Sequence, residues 1–224
     1  MIEVNIQEVR RYLGYQGINK IDEATSRCIE ECISELNEKV EPRYIYKFFP
    51  INWSSDSDDY LLEFSGIRIG EGKLSKNLEG CTWIAMMAVT LGPVPDMLIR
   101  RVSLRETFKA MVYQATGAAM IEAFANDINN KIKEEVAARN LFTRPRFSPG
   151  YGDFPLTVQR DFEQILEMPK TIGVSLADSL LMSPTKSITA VVGISPTRLR
   201  EQDCITSGCD NCNMKNTCDY SLSE

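Results

Sequence analysis

The feature that most constrains this chain is a very long predicted helix, which runs from about Leu104 to Asn140. A shorter helix precedes it and begins at Pro93 and Pro95, since proline favours the first turn of a helix. Before both helices, the run from Cys81 to Leu91 is largely apolar and stops at a Gly-Pro pair. Such a run is typical of a strand that is buried on both faces, so we expect a central strand near the long helix.

The other predicted elements mix helix and strand without a regular order. Asp22 to Val40 has an apolar stripe at helical spacing, and aspartate is a residue type that caps helix N-termini. The remaining elements are strands at Arg43 to Phe49 and Tyr60 to Ile69 paired around a turn at Asn52 to Asp59, a short helix at Thr157 to Met168, and strands at Ile172 to Met182 and Ser187 to Ile194. This mixture predicts an α+β fold: a mainly antiparallel twisted sheet packed with the long central helix and shorter helices, plus a Cys-rich C-terminal appendage.

The chain has no histidine, which excludes several kinds of chemistry. A Ser-His-Asp triad, a Cys-His nucleophile and a His-ligated catalytic zinc all need an imidazole from the chain. The chain also carries 25 Lys and Arg residues against 31 Asp and Glu residues, a formal charge of -6. That balance argues against nucleic acid as a partner, because phosphate binding needs a basic face. The chemistry must therefore use carboxylate, Arg, Tyr, Cys, backbone groups or a borrowed cofactor.

The amino terminus and the apolar segments predict a cytoplasmic protein. Met1 to Val9 contains Glu3 and Glu8 among its apolar residues and does not form the apolar centre of a signal peptide. The best candidate for a membrane span, Met111 to Ile121, is shorter than the roughly 18 to 20 apolar residues that crossing a bilayer requires. We therefore expect no membrane partner.

The first candidate site residue is Glu122, in the middle of the predicted long helix. Its neighbours at helical spacing include Ala118, Ala119 and Ala125, and no Lys or Arg lies three or four residues away to pair with it. A carboxylate on such a face is costly to bury without a partner. Either an Arg from another element pairs with it, or this face is exposed to solvent, or the carboxylate binds the ammonium group of a ligand.

The second candidate is the irregular segment from Arg146 to Pro155. Pro149 and Gly150 predict a turn with exposed backbone donors, while Arg146 offers a planar fork that suits a carboxylate. Tyr151 adds an aromatic face with a hydroxyl group. Together, Arg146 and Glu122 would supply the two receptors that an amino acid zwitterion needs, whereas the alternative is a structural loop with a surface Arg-Asp bridge.

The third candidate is a group of four cysteines near the C-terminus, at Cys204, Cys209, Cys212 and Cys218. In a reducing compartment, four closely spaced thiolates with a Cys-x-x-Cys pair fit an all-sulfur metal site better than disulfides. The spacing is compatible with zinc or with an iron-sulfur cluster. The other three cysteines, Cys28, Cys32 and Cys81, are predicted to be packing residues.

Four short motifs are informative as an ordered set. They are Thr-Leu-Gly at Thr90 to Gly92, Ile-Glu-Ala-Phe at Ile121 to Phe124, Arg-x-x-Pro-Gly-Tyr at Arg146 to Tyr151, and Ser-x-x-Met-x-Pro-x-x-Ser at Ser179 to Ser187. Between about residues 80 and 196 the chain therefore resembles the activation domain of cobalamin-dependent methionine synthase. The first 75 residues match poorly and the cysteine tail has no counterpart, so we expect a free-standing relative with an activation-like domain at 1–199 and a tail at 200–224.

The resemblance implies a function and assigns residues to it. In that family the domain binds S-adenosylmethionine and covers the corrin of an oxidised cobalamin, and one electron from flavodoxin or another donor allows remethylation. Carried over by position, Arg146 holds the methionine carboxylate, Glu122 holds the ammonium, and Tyr151 is the catalytic-site residue beside the corrin. The rest of the S-adenosylmethionine-binding loop is Ser148, Pro149 and Gly150, and the strand Ala190 to Gly193 would contact the adenosine.

These implications predict an S-adenosylmethionine-binding subunit for reductive remethylation of cobalamin in a split cobalamin-dependent methionine synthase. The cobalamin would be carried by a partner, a cobalamin-binding methyltransferase subunit, because the sequence has no evident site for it. The chain is therefore methyltransferase-associated, and methyl transfer to cob(I)alamin would need the partner. The alternatives are a reactivation partner of another corrinoid methyltransferase and a metal-binding regulatory protein with a vestigial ligand site.

The cysteine motif generates a first prediction. We expect anaerobically purified protein to contain bound metal, and the double variant Cys209→Ser/Cys212→Ser to lose it, because each substitution removes one thiolate ligand. Elemental analysis and visible absorption measure the outcome: a coloured protein indicates an iron-sulfur cluster, and a colourless protein with stoichiometric zinc indicates a structural site. A metal-free wild-type protein would contradict both forms of the metal hypothesis.

Overall fold

A computed structural model describes residues 1–15, 21–54 and 61–198 of the chain. The helices are α1 (Ile6–Tyr12), α2 (Glu23–Lys39), α3 (Lys73–Asn77), α4 (Val94–Ser103), α5 (Thr107–Ala137), α6 (Gln159–Ile165) and α7 (Met168–Thr171). The strands are β1 (Arg43–Pro50), β2 (Asn52–Trp53), β3 (Leu62–Phe64), β4 (Ile67–Ile69), β5 (Trp83–Thr90), β6 (Phe142–Thr143), β7 (Ser175–Leu176), β8 (Met182–Ser183) and β9 (Ser187–Ser195).

The main sheet has four antiparallel strands in the order β1-β5-β9-β6. The central strand β5 pairs along its whole length with β1 on one side and β9 on the other, so that Thr90 lies opposite both Arg43 and Ser187. Two small antiparallel sheets, β2-β3-β4 and β7-β8, accompany it. The predicted α+β fold, with a mainly antiparallel sheet and a long helix, is confirmed.

The main sheet separates two hydrophobic clusters, because side chains along a strand alternate between its two faces. In β9, Ala190 and Val192 belong to the first cluster, with α2 and α5, whereas Val191 belongs to the second. The second cluster includes Phe162 of α6 and the buried residues of the β3-β4 hairpin. The sheet is therefore covered on both faces, which explains the largely apolar sequence of β5.

The first cluster is built around the long helix α5, whose middle is buried on nearly all sides. Helices α1, α2 and α4 pack against it. Tyr113 of α5 is 1% exposed, and its hydroxyl group donates a hydrogen bond to the Glu35 carboxylate of α2. Close packing is also visible at Gly117, where an added Cβ would lie 3.1 Å from Cε of Lys186. The small residues of α5 therefore let neighbouring elements approach its backbone.

Several sequence predictions are confirmed. Helix α2 begins directly after Asp22, whose side chain accepts a hydrogen bond from the Thr25 backbone amide. The long helix, the preceding proline-initiated helix and the buried strand all lie where the sequence placed them. Cys32 and Cys81 are buried, as expected of packing residues, and burial raises the pKa of the Cys81 thiol to about 11.

The predicted pairing between Arg43 to Phe49 and Tyr60 to Ile69 is wrong. The first segment forms β1 and pairs with β5, while the described part of the second segment forms the β3-β4 hairpin of a separate sheet. Ser65 and Gly66 both have positive φ, 50° and 84°, which is the backbone of a two-residue hairpin turn. That Ser-Gly pair was the missed turn signal.

The predicted strand from Ile172 to Met182 is also broken. Only Ser175–Leu176 and Met182–Ser183 are strands, and they pair with each other across a turn in which Leu180 has a φ of 66°. Sequence analysis also missed the short helices α1 and α3. Each has only seven or five residues, too few for a clear helical period.

The remaining predictions concern a membrane-spanning helix, the metal ligands and the turn before β3. Within the described residues, no helix is long and apolar enough to cross a membrane. The predicted metal ligands Cys204, Cys209, Cys212 and Cys218 lie outside the described residues, as does most of the predicted turn at Asn52 to Asp59.

Packing around β9 generates a stability prediction. An added Cβ at Gly193 would lie 2.7 Å from Cδ2 of Leu78 and 2.8 Å from Sγ of Cys81, so Gly193→Ala overpacks the second cluster. We expect this variant to lower the free energy of unfolding by about 1 to 3 kcal/mol in urea denaturation. Gly70→Ala is the matched control, because an added Cβ there meets no atom within 4 Å. Equal stability of the two variants would contradict the packing.

Candidate functional site

A pocket of about 530 Å³ opens where helix α5, the segment after β6, helix α6 and strand β9 meet. Its walls combine charged, aromatic and polar side chains. The lining residues are Glu122, Arg146, Phe147, Ser148, Pro149, Tyr151, Gln159, Met182, Ser187, Ile188 and Thr189.

Glu122 and Arg146 form an ion pair in this pocket. The Arg146 Nη2 atom lies 2.5 Å from the Glu122 Oε2 atom, and their side chains are 22% and 45% exposed. Glu122 is held by the 31-residue helix α5, whereas Arg146 comes from the irregular segment beyond β6. The Arg146 Nη1 atom is buried, and within the described chain it has no hydrogen-bond partner. The Nη2 atom is therefore paired with Glu122, whereas the buried Nη1 atom has an unused capacity to donate hydrogen bonds.

The segment that carries Arg146 is rigid for local reasons. Phe147 forms an antiparallel bridge with Val191 of β9, with two backbone hydrogen bonds of 2.9 and 2.8 Å. Beyond it, Gly150 adopts a φ of +91°, which is accessible to glycine without strain, and its amide donates to the Phe154 carbonyl. Phe154 is itself 1% exposed and anchors the turn in the second cluster. The Pro-Gly turn therefore holds Ser148 to Tyr151 in one conformation.

Asp153 fastens this segment to helix α3. Its Oδ1 atom accepts hydrogen bonds from the backbone amides of Lys73 at 2.7 Å and Leu74 at 3.2 Å, which satisfies two free donors at the start of that helix. The contact is close: an added Cβ at Gly72 would lie 1.9 Å from the Asp153 carboxylate. Position 72 therefore needs glycine for space, since its φ of 175° is ordinary extended backbone.

Strand β9 has an edge beside the pocket that no other strand in the described part of the chain pairs with, here called its free edge. Its odd-numbered residues direct their backbone groups away from β5, since Arg144 N donates to Gly193 O and Phe147 exchanges hydrogen bonds with Val191. Backbone groups of an antiparallel strand alternate in direction, so Thr189 and Ser187, two and four residues earlier, point their amides and carbonyls to the same side. Both residues line the pocket, beyond the last bridge to the Arg146 segment.

Two further buried polar atoms lie in the pocket wall. Gln159 begins helix α6 and is 6% exposed, and Thr189 of β9 is 2% exposed. The Gln159 Oε1 and Thr189 Oγ1 atoms are buried without a hydrogen-bond partner in the described part of the chain. Buried polar atoms in native proteins are nearly always hydrogen-bonded, so each atom indicates a partner that the described residues do not supply.

Helix α1 approaches the same site from the amino-terminal part of the chain. It packs on α5, and burial together with the Glu122 carboxylate raises the pKa of the Tyr12 hydroxyl. Tyr12 is 42% exposed, and the Arg11 guanidinium lies 4.8 Å from the centre of its ring. Sequence analysis gave this segment no role.

The structure brings most of the predicted site residues together. Glu122, Arg146, Ser148, Pro149 and Tyr151 all line one pocket, and Tyr151, 71% exposed, stands at its mouth. Their assigned roles in ligand binding remain predictions.

Other predicted features are placed differently. Gly150 shapes the turn and is absent from the pocket lining. Of the predicted adenosine-binding strand, Val191 already bonds to Phe147, and the pocket instead contacts residues 187–189. The missed residues were Gln159, Met182, Ser187, Ile188 and Thr189, although Met182 and Ser187 fall within the fourth sequence motif.

Fold and site define an α+β domain, in which a pocket with an internal ion pair opens at the edge of an antiparallel sheet. Residues 74–199 match the family described as "Vitamin B12 dependent methionine synthase, activation domain". The chain therefore belongs to that family.

A solved structure agrees with this assignment at the level of the fold. The chain is similar to a structure described as "Crystal Structure of the MetH Reactivation Domain bound to AdoHcy", with a TM-score of 0.64 and 17% sequence identity. The similarity covers 88% of this chain and 75% of that one. No curated protein matches the sequence.

The Asp153 contact generates a prediction. Asp153→Ala removes the acceptor for two helix amides and should lower the free energy of unfolding by about 1 kcal/mol, as loss of a helix cap typically does. Asp153→Asn keeps a side-chain oxygen in the same place and should restore most of that stability. Urea denaturation of the three proteins measures this, and equal losses in both variants would contradict a role as a helix cap.

Proposed function

We propose that the pocket binds S-adenosylmethionine and that the chain serves reductive remethylation of a cobalamin carried by a partner. The observation that supports this most directly is the ion pair of Glu122 and Arg146 in the pocket, with Arg146 Nη1 left without a partner. An amino acid zwitterion matches both charges. The ligand's carboxylate would accept hydrogen bonds from the Arg146 guanidinium, and its ammonium group would donate to the Glu122 carboxylate. Membership of the activation-domain family and the AdoHcy named in the similar structure's description support the same ligand class.

The rest of the pocket suits the rest of that ligand. A volume of about 530 Å³ lies within the usual range for small-molecule sites. The free edge of β9 presents backbone donors and acceptors to a nucleoside, and Gln159 and Thr189 add two buried polar atoms. The apolar side chains of Phe147, Met182 and Ile188 provide surfaces for the uncharged parts of the molecule.

In this proposal S-adenosylmethionine supplies the methyl group and the partner's cobalamin accepts it. The residues of this chain bind, orient and shield the ligand, and no general base is needed. Glu122 and Arg146 fix the amino acid end of the ligand. The contact of Asp153 with helix α3 and the turn at Gly150 hold Ser148 and Tyr151 in place. This agrees with a chain that has no histidine.

Tyr151 is proposed to be the residue that faces the partner's cobalamin. Tyr151 lines the pocket and is 71% exposed, so one side of its ring is accessible to a partner. A cobalamin-binding methyltransferase subunit would therefore cover the pocket mouth, in the arrangement of a split cobalamin-dependent methionine synthase. Flavodoxin or another electron donor would supply the electron.

The domain division is part of the same proposal. Residues 1–199 would form the activation-like domain, since helix α1 and strand β1 both contact the part of the chain that the family covers. Residues 200–224 would form a metal-binding tail through their four cysteines.

The binding proposal predicts a specific loss. Calorimetric titration of S-adenosylmethionine should show binding to the wild-type protein and a loss of roughly 2 to 5 kcal/mol in Arg146→Ala, because the variant leaves charged partners unpaired in a partly buried site. Arg160→Ala is the matched control, since Arg160 is exposed on α6 and outside the pocket. It should bind like the wild type.

Two results would contradict the proposal. One is equal binding by wild type and Arg146→Ala. The other is no binding by the wild-type protein, either alone or with a cobalamin-loaded partner, which would instead indicate a vestigial site.

A further inference from the structure

Two buried polar groups in the pocket remain after the amino acid end of the ligand has been placed. These are the side-chain amide of Gln159 and the hydroxyl of Thr189, whose Oε1 and Oγ1 atoms have no hydrogen-bond partner in the described part of the chain. Leaving a buried polar atom unsatisfied costs about 1 to 3 kcal/mol. A side chain that is 94% buried and lacks a partner therefore indicates where a ligand makes hydrogen bonds, and Gln159, at 6% exposure, meets that description.

These groups lie on the opposite side of the sheet edge from the ion pair. Glu122 belongs to α5, which covers the face of the sheet that carries Ala190 and Val192. Thr189 alternates with Ala190 and so points to the other face, where Val191 packs with Phe162 of α6. Gln159 is the first residue of that same helix. The pocket therefore passes around the free edge of β9, with charged receptors in one layer and neutral polar groups in the other.

An elongated ligand that binds in this way must carry a zwitterion at one end and a neutral group with both donors and acceptors at the other. A purine fits that second requirement. A glutamine amide places one acceptor beside donor hydrogens, and this arrangement matches the amino group and the adjacent ring nitrogen of adenine. A purine that lacks the amino group carries only acceptor nitrogens on this edge, so it offers no donor hydrogen to the buried Oε1 atom.

We propose that Gln159 is the residue that selects adenine, with its amide paired to the adenine amino edge beside the free edge of β9. This inference rests on the proposed function and adds the residue that determines the base. The backbone at Gln159 is held by its surroundings: it follows the buried Val158 and begins a helix whose Phe162 is fully buried. A purine without the amino group has no donor for this amide, whichever way the amide is turned.

The test compares two ligands that differ only at this edge. S-adenosylhomocysteine and S-nebularylhomocysteine, in which hydrogen replaces the amino group of adenine, are titrated into the wild-type protein, into Gln159→Met and into Gln164→Met. Methionine has nearly the shape of glutamine without its polar atoms, and Gln164 is an exposed residue of the same helix outside the pocket. We expect the wild type and Gln164→Met to prefer the adenosyl ligand about tenfold to a hundredfold. In Gln159→Met the ratio should fall close to one.

The ratio of the two affinities, measured in one protein, is insensitive to a general loss of folded protein. If the wild type binds the adenosyl ligand but does not discriminate, or if Gln159→Met keeps the preference, this inference is overturned while the proposed function stands. If the wild type binds neither S-adenosylmethionine nor S-adenosylhomocysteine, with or without the cobalamin-loaded partner, both fall together.

Discussion

The site depends on a part of the main-sheet edge that, within the described residues, is not paired with another strand. Strand β6 covers only the far end of β9, through Phe142 and Thr143, and the single bridge at Phe147 covers Val191. Among the described residues, no strand pairs with this side of β9 from Thr189 to Ser187, and residues 187–189 line the pocket. Exposed edges are usually protected in proteins because they invite pairing with other chains. Here the segment from Arg146 to Tyr151 turns across the edge and converts it into a pocket.

The sequence predicted the parts of this site that depend on local chemistry. Proline and glycine predicted the turn at Pro149-Gly150, and the long helix placed Glu122. Because no cation lies at helical spacing from Glu122, an arginine from another element was one of the partners considered for it. Those inferences needed only residue types and helical spacing. The contribution of Gln159 and Thr189 could not be predicted in the same way, because a lone glutamine or threonine carries no periodic signal. Their burial and lack of a partner appear only when three distant segments meet.

The errors in the predicted fold also have physical causes. We predicted that β1 pairs with the next strand segment of the sequence, because strands that are close in sequence often pair. In the structure β1 pairs with β5, which is longer and buried on both faces. The hairpin at Ser65-Gly66 was hidden within a stretch of branched and aromatic residues, where turn residues are few. In both cases a local preference was overridden by tertiary pairing, whereas the longer helices α2, α4 and α5, whose hydrogen bonds are internal, were placed correctly.

The contact between Gly72 and Asp153 has a consequence for how this chain can vary. A methyl group at position 72 and the carboxylate at position 153 would occupy the same space, and the carboxylate is also the cap of helix α3. The two positions are therefore constrained as a pair across 80 residues of sequence. A relative with a larger residue at the first position should carry a smaller one at the second, and it should have a different way of ordering the turn that presents Tyr151.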